Sequence, residues 1–237
     1  MSTYDQNSPP SRAIDRGAVA IDAGLRDYML RIYNYMAAGV GLTALVAWLT
    51  YQLTGPALLQ NPLMWVFIFA PLVLVFFISA RINSLSATTA RWLFFLYAAL
   101  IGVSLSTLIH IYTSSSITRV FFIAAATFGA LSIFGYTTRR DLSGLGTFLF
   151  MGLIGIIIAS LVNLFVRSTG LDWLISVIGV GVFAGLTAYD TQRIKAMYNA
   201  QDDETSAGRK AVIGALSLYL NFLNLFLMML RLMGGRR

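Results

Sequence analysis

The sequence contains no cysteine and a single histidine, His110. Disulfides, thiolate zinc sites and cysteine nucleophiles are therefore excluded, as is a metalloprotease HExxH, which needs two histidines on one helix face. Charge is also scarce. Only 11% of the 237 residues are charged and 57% are hydrophobic, whereas a soluble domain carries about a quarter charged residues. Such a chain cannot coat a water-facing surface and reads as an integral membrane protein, with the lipid bilayer as its partner. The only lysines, Lys195 and Lys210, lie in one charged stretch, so a Schiff base inside a helix is not available. No P-loop or GxGxxG occurs. A membrane serine protease needs a serine with a basic partner, but Ser143-Gly144 lies in an expected loop and His110 near the opposite face. This inventory argues against an enzyme and calls for no cofactor. The net charge of +7 is explained by loop arginines following membrane topology rather than by a nucleic-acid partner.

What the sequence has in quantity is apolar runs. A helix needs roughly 17–25 apolar residues to cross about 30 Å of hydrocarbon. Seven runs qualify: Ile32–Leu53, Leu63–Ala80, Trp92–Tyr112, Val120–Tyr136, Leu145–Val166, Trp173–Tyr189 and Ala211–Met233. They are apolar all round rather than alternating, which excludes a barrel. The expected fold is thus an all-α membrane protein of seven spans. Residues 1–30 read as a mobile cytoplasmic tail, in which Ile14, Val19, Ile21 and Leu25 offer at most a weak amphipathic helix. Residues 31–233 form the membrane domain, and 234–237 a short basic tail. Pro71 lies inside the second span, where a kink is expected and tolerated.

Basic residues set the expected orientation. With the N-terminus inside, the inner segments hold Arg12, Arg16, Arg26, Arg31, Arg81, Arg91, Arg139, Arg140, Arg193, Lys195, Arg209 and Lys210. The outer ones hold Arg119, Arg167, Arg231, Arg236 and Arg237. The positive-inside rule favours a cytoplasmic N-terminus and an external C-terminus. The basic C-terminal end disagrees, and a re-entrant last span would bring it inside.

Polar groups inside the spans are the candidate functional residues. Asp190 ends the sixth run from within the same expected helix, and a carboxylate at the rim of a spanning helix is a functional candidate by default. Arg81, at the same expected depth on the second span, is within reach of a salt bridge to it. Burial disfavours the charged carboxylate and a guanidinium favours it, so the group is a candidate proton sensor. The competing reading is a helix-end aspartate solvated beside Arg193 and Lys195. On the last span, Gly214, Ser217, Asn221, Asn224, Met228 and Arg231 fall within an arc of about 100°. Two asparagines cannot face lipid, so this stripe looks into the bundle or a wet cavity. Interhelical hydrogen bonding is its plainer role, and a conduction path the sharper one. Gly181 and Gly185 form a GxxxG suited to ordinary close packing. His110, Asn34 and Asn163 read as structural.

The C-terminal third resembles the Bax inhibitor-1 family, the transmembrane Bax-inhibitor-motif proteins, in a bacterial-type form. The resemblance rests on Tyr189-Asp190-Thr191-Gln192 after a Gly-rich helix, followed by Leu218-Tyr219-Leu220-Asn221-Phe222-Leu223-Asn224-Leu225-Phe226. Arg31-Ile32-Tyr33 and Gly55-Pro56 add weaker support, and the resemblance covers about Arg31 to Arg231. It implies a bundle with the last helix central, surrounded by the other six, and a calcium-permeable, proton-sensitive leak in the bacterial inner membrane. It further implies two aspartates sharing a proton-sensitive contact, with an arginine of the second helix latching the first. Asp190 matches the first aspartate, as a candidate calcium ligand, and Arg81 matches the latch by position. Ser217 and Asn224 would line the path. The second aspartate falls at Asn221, which cannot ionise, so proton sensing is expected to be weakened. The alternative implied by the resemblance is a non-conducting regulator, or a substrate of a membrane-bound AAA protease, acting in stress response.

Overall fold

The computed structural model describes residues 11–55 and 62–237, the side chains of residues 11–22 and Leu63 excepted. The helices are α1 (Ser11–Thr54), α2 (Leu63–Arg81), α3 (Ala87–Ile111), α4 (Ser114–Thr137), α5 (Ser143–Val166), α6 (Thr169–Ala196) and α7 (Glu204–Met233), with a 3-10 turn at Ile82–Ser84 after α2. Each carries a stretch long and apolar enough to cross a membrane. Every expected span falls on one of them. The protein is an all-α, seven-span integral membrane protein.

α3, α4, α6 and α7 begin earlier than their apolar runs because their first turns are polar and capped. Ser86, Thr113 and Ser168 each accept an amide N–H of the following turn, as N-caps of α3, α4 and α6. Asp203 does the same for α7, taking the amides of Thr205 and Ser206 at 3.1 and 3.2 Å. Those bonds satisfy donors a helix N-terminus otherwise leaves open. The side chain and amide of Ser206 also hold the exposed Asp203 carboxyl below the usual carboxylate range. α1 extends back to Ser11, into the segment read as tail. Tyr28 and Met29 are buried in the core, and Tyr28 packs on Tyr198 of the α6–α7 loop at 5.6 Å between rings, so the packed body begins before residue 31. Residues 1–10, and the side chains of Ile14, Val19 and Ile21, lie outside the described residues.

α7 is the centre of the bundle. Of its most apolar stretch 72% is buried, against 44% for α6 and less for every other span. It runs unbroken from Glu204 to Met233, as a crossing helix does and a re-entrant pair does not. Its principal packing is against α1, α3, α4 and α6, whereas α2 leans mainly on α3, and α5 on α6. Four helices rather than six therefore form the main wall around α7, with α2 and α5 outside it.

Lipid tails are as apolar as leucine, so the spans are held by close packing and internal hydrogen bonds. Tyr219 on α7 shows both. Its ring meets Phe94 and Tyr97 edge-on at 5.6 and 5.8 Å, and its hydroxyl lies 2.6 Å from that of Thr43 on α1. Thr43 in turn donates within reach of the carbonyls of Gly39 and Ala98 at 2.9 Å, so α1, α3 and α7 meet at one buried point. Pro71 does not interrupt α2. Proline lacks the N–H that would bond the carbonyl four residues back, and Ser104 Oγ on α3 reaches that freed Phe67 carbonyl at 2.5 Å. The GxxxG pair divides: a Cβ at Gly185 would run into Leu149 of α5, while Gly181 faces open space. α4 lies close against α6 at Gly135, where a Cβ would overlap the Ala188 carbonyl.

Candidate functional site

Asp190 is buried, with 6% of its surface exposed. Its Oδ2 accepts from Asn221 Nδ2 at 2.8 Å and from Ser217 Oγ at 3.0 Å. Its Oδ1 lies 3.0 Å from Arg193 Nη2, and the same Nη2 donates to Ser217 Oγ at 3.1 Å. Both carboxylate oxygens are thus occupied, which is what a charge at this depth requires. Arg193 sits one turn beyond Asp190 on α6, at an i,i+3 spacing that brings side chains together on a helix. Its outward side stacks over the Tyr189 ring at 5.7 Å.

Asp190 and Arg193 are the charged groups lining a cavity of about 490 Å³ between α5, α6 and α7. The cavity lies where α5 and α7 are held apart by α6 rather than packed together. The partly exposed positions of α7 explain its floor: Ile213, Ser217, Leu220, Asn224 and Leu227 recur at helical spacing, while their neighbours are buried. Ser217, Leu220, Asn221 and Asn224 all line the cavity. Asn224 Nδ2 bonds the Leu220 carbonyl of its own helix at 2.9 Å. The rest of the expected stripe does other work. Gly214 packs against Ile32 and Ile194, Met228 lies over Gly179, and Arg231 faces Asp172 at 3.6 Å.

The structure brings Asp190, Ser217 and Asn221 together, with Asn224 on the same cavity. It does not bring Arg81 to them. Arg81 is exposed at the end of α2, and α2 packs mainly on α3, so depth alone did not make it a neighbour of α6. The cation on Asp190 is Arg193.

The four residues of Tyr189-Asp190-Thr191-Gln192 have separable tasks. Tyr189 lies against Gly146, where a Cβ would overlap its ring. Thr191 is fully buried and bonds the Thr187 carbonyl at 2.8 Å. Gln192 spans to the α4–α5 loop, accepting from the Leu142 amide at 2.9 Å and donating to the Arg140 carbonyl at 2.8 Å. Sequence reasoning missed this clamp, although a glutamine at the end of a span is the signal for one. His110 packs against Tyr51 at 4.6 Å, far from the site in the fold.

A family model for "Inhibitor of apoptosis-promoting Bax1" matches residues 25–237. The chain belongs to the Bax inhibitor-1 family. It is 48% identical over 222 residues to the inner membrane protein YbhL of Escherichia coli K12, covering 91% of this chain and 94% of that one. An uncharacterized protein of Caulobacter vibrioides is 40% identical over 249 residues and covers all of both chains. An uncharacterized protein of Rickettsia prowazekii is 45% identical over 218 residues. Within the family frame, the site is one carboxylate bound to one amide.

As a resting place for calcium the donor set is small. Calcium takes about six to eight oxygens. Asp190, Ser217, Asn221 and Asn224 offer one carboxylate, one hydroxyl and two amide oxygens. No group of three or more acidic or histidine side chains able to hold a metal occurs among the described residues. A cation at these donors would have to keep several of its waters.

Proposed function

We propose that the protein is a cation leak of the Bax inhibitor-1 type, permeable to calcium and responsive to protons, with weakened proton sensing. The observation that carries this reading is the buried Asp190 carboxylate, bonded to Asn221 at 2.8 Å and to Arg193 at 3.0 Å at the wall of a polar cavity within a membrane bundle. A carboxylate in this setting is a recurrent mark of ion and proton paths. In this reading the pairing with Arg193 keeps the mouth closed to cations. Protonation of Asp190 removes the attraction that holds Arg193, and the cavity opens to a hydrated ion passing Ser217 and Asn224. Charged neighbours of Asp190 at the cavity are limited to Arg193. The face contributed by α7 is neutral, and α5 contributes Gly146, Thr147 and Phe150. Asn221 retains the hydrogen bond of a dyad but brings no second negative charge to drive it apart. We further place the protein in the inner membrane, as the name of the Escherichia coli relative suggests, with a cytoplasmic N-terminus.

The test is calcium flux into proteoliposomes, followed with an internal dye between about pH 8 and pH 5, for wild type and Asp190→Asn. The expected result is flux in wild type that rises with acidification, and flux in Asp190→Asn that no longer depends on pH. Absence of flux in both overturns the leak. The remaining reading would then be a non-conducting regulator or substrate of a membrane-bound AAA protease, for which altered turnover after deletion of residues 1–25 is the expected sign.

A further inference from the structure

At the end of the bundle away from Asp190, three arginines surround a second cavity of about 370 Å³, lined by Arg167, Arg231 and Arg236 together with Ser168, Asp172 and Trp173. These are arginines that ran against the positive-inside count, and the leak gives them no task. Their placement is built in by the backbone. Arg167 is the only non-glycine residue with positive φ among the described residues, at 53°. It holds this strained conformation because its amide bonds the Asn163 carbonyl at 2.8 Å and the next amide, of Ser168, bonds Asn163 Oδ1 at 2.9 Å.

Arg236 is brought in by the C-terminal tail, which is strapped across the α3–α4 connection. Thr113 donates to the Gly235 carbonyl at 3.1 Å, Arg237 to the Ile111 carbonyl at 3.0 Å, and Gly235 to Ser116 Oγ at 2.7 Å. Against three guanidinium groups the cavity sets one carboxylate, Asp172, which lies 3.6 Å from Arg231. Two positive charges are left over. Like charges held together by a fixed scaffold are relieved by an anion, and guanidinium forks match phosphate oxygens.

Depth identifies where that anion comes from. The cavity sits where α5 ends and α6 begins, beside the end of α7, so it lies at the boundary of the apolar spans. Trp173 on its rim is 61% exposed, and Phe165 alongside is 84% exposed. Tryptophan at this level is characteristic of a headgroup zone, and the exposed apolar flank of α5 gives hydrocarbon a place to lie.

We propose that this cavity binds the phosphate of an anionic phospholipid headgroup, with Arg167, Arg231 and Arg236 as its ligands and the acyl chains along the exposed flank of α5 and α6. The surplus of two positive charges favours an anionic over a zwitterionic lipid. Asp172 competes with the phosphate for Arg231.

The full chain in a neutral detergent tests this, by thermal unfolding titrated with phosphatidylglycerol, phosphatidylcholine or inorganic phosphate, and by native mass spectrometry of bound lipid. Phosphatidylglycerol is expected to stabilise and to remain bound, and phosphatidylcholine is not. Arg167→Gly suits the positive φ, so the loop keeps its shape while a cation is lost. Its affinity for phosphatidylglycerol should fall by at least about tenfold, since a hydrogen bond to a charged group is at stake. Asp172→Asn should bind more tightly. Equal effects of the two lipids, unchanged binding by Arg167→Gly, or weaker binding by Asp172→Asn would each overturn the proposal. Stabilisation by inorganic phosphate matching that of phosphatidylglycerol would overturn the lipid as its source.

Discussion

Asn221 Nδ2 donates to Asp190 Oδ2 across 2.8 Å, joining α7 to α6 at the wall of the cavity they form with α5. The amide can donate to an ionised partner without repelling it. An aspartate at the same position cannot, because two carboxylates this close must share a proton. Asn221→Asp is therefore expected to make calcium flux in proteoliposomes steeply pH-dependent, where wild type changes gradually. Equal pH profiles for the two proteins would show that the pair does not sense protons.

Arg193 is the counter-ion of Asp190, and its side chain is 44% exposed. Replacing it with glutamine keeps a hydrogen-bond donor near Ser217 and removes the positive charge. Flux through Arg193→Gln at neutral pH should rise several-fold over wild type, and the unfolding midpoint should fall, because the Asp190 side chain is only 9% exposed and loses its counter-ion. Arg81→Gln, on the periphery, should leave flux unchanged. Dye-based flux at fixed pH separates the two variants, and the reverse ranking would restore the second-helix latch.

Ser104 gives a prediction about stability alone. Its hydroxyl reaches the Phe67 carbonyl that Pro71 leaves free. Ser104→Ala exposes that carbonyl to an apolar surrounding and should cost about 1–3 kcal/mol, seen as a lowered unfolding midpoint in detergent. Combining it with Pro71→Ala, which restores the intrahelical donor, should recover most of the loss.

The cap of α7 has a pH sign. The folded Asp203 carboxyl titrates below its unfolded value because Ser206 bonds the charged form. Its contribution is therefore present above the ordinary aspartate range of about 3.9 and is lost as pH falls through the lower folded value. Protection of the amides of Thr205 and Ser206 from hydrogen exchange, relative to the intrinsic rate at each pH, should fall across that window in wild type. Asparagine also caps but does not titrate, so Asp203→Asn should keep its protection in acid.

Hydropathy made the seven spans legible because hydrocarbon imposes one requirement on every crossing helix. It did not show where the helices start, because Ser86, Thr113, Ser168 and Asp203 sit in polar turns ahead of the apolar runs. Asp190 and Asn221 were legible as polar groups with no place in lipid. Their contact followed from the resemblance rather than from spacing. Arg81 was placed by depth, which leaves lateral position open. Only the packing of α2 on α3 shows that it stands apart from α6. Arg193 is readable from its spacing on the same helix, but it reads there as a solvated neighbour because nothing in the sequence reveals that Asp190 is buried.

The strapped C-terminal tail constrains how the central helix can move. With Thr113, Ser116 and Ile111 holding Gly235 and Arg237 at the far end, α7 is pinned like a rod at its base. A piston stroke along its axis would tear those bonds at once, whereas a small swing of the opposite end would leave them whole. Any widening beside Asp190 is therefore a pivot, largest at the end where Asp203 begins the helix and vanishing at the tail.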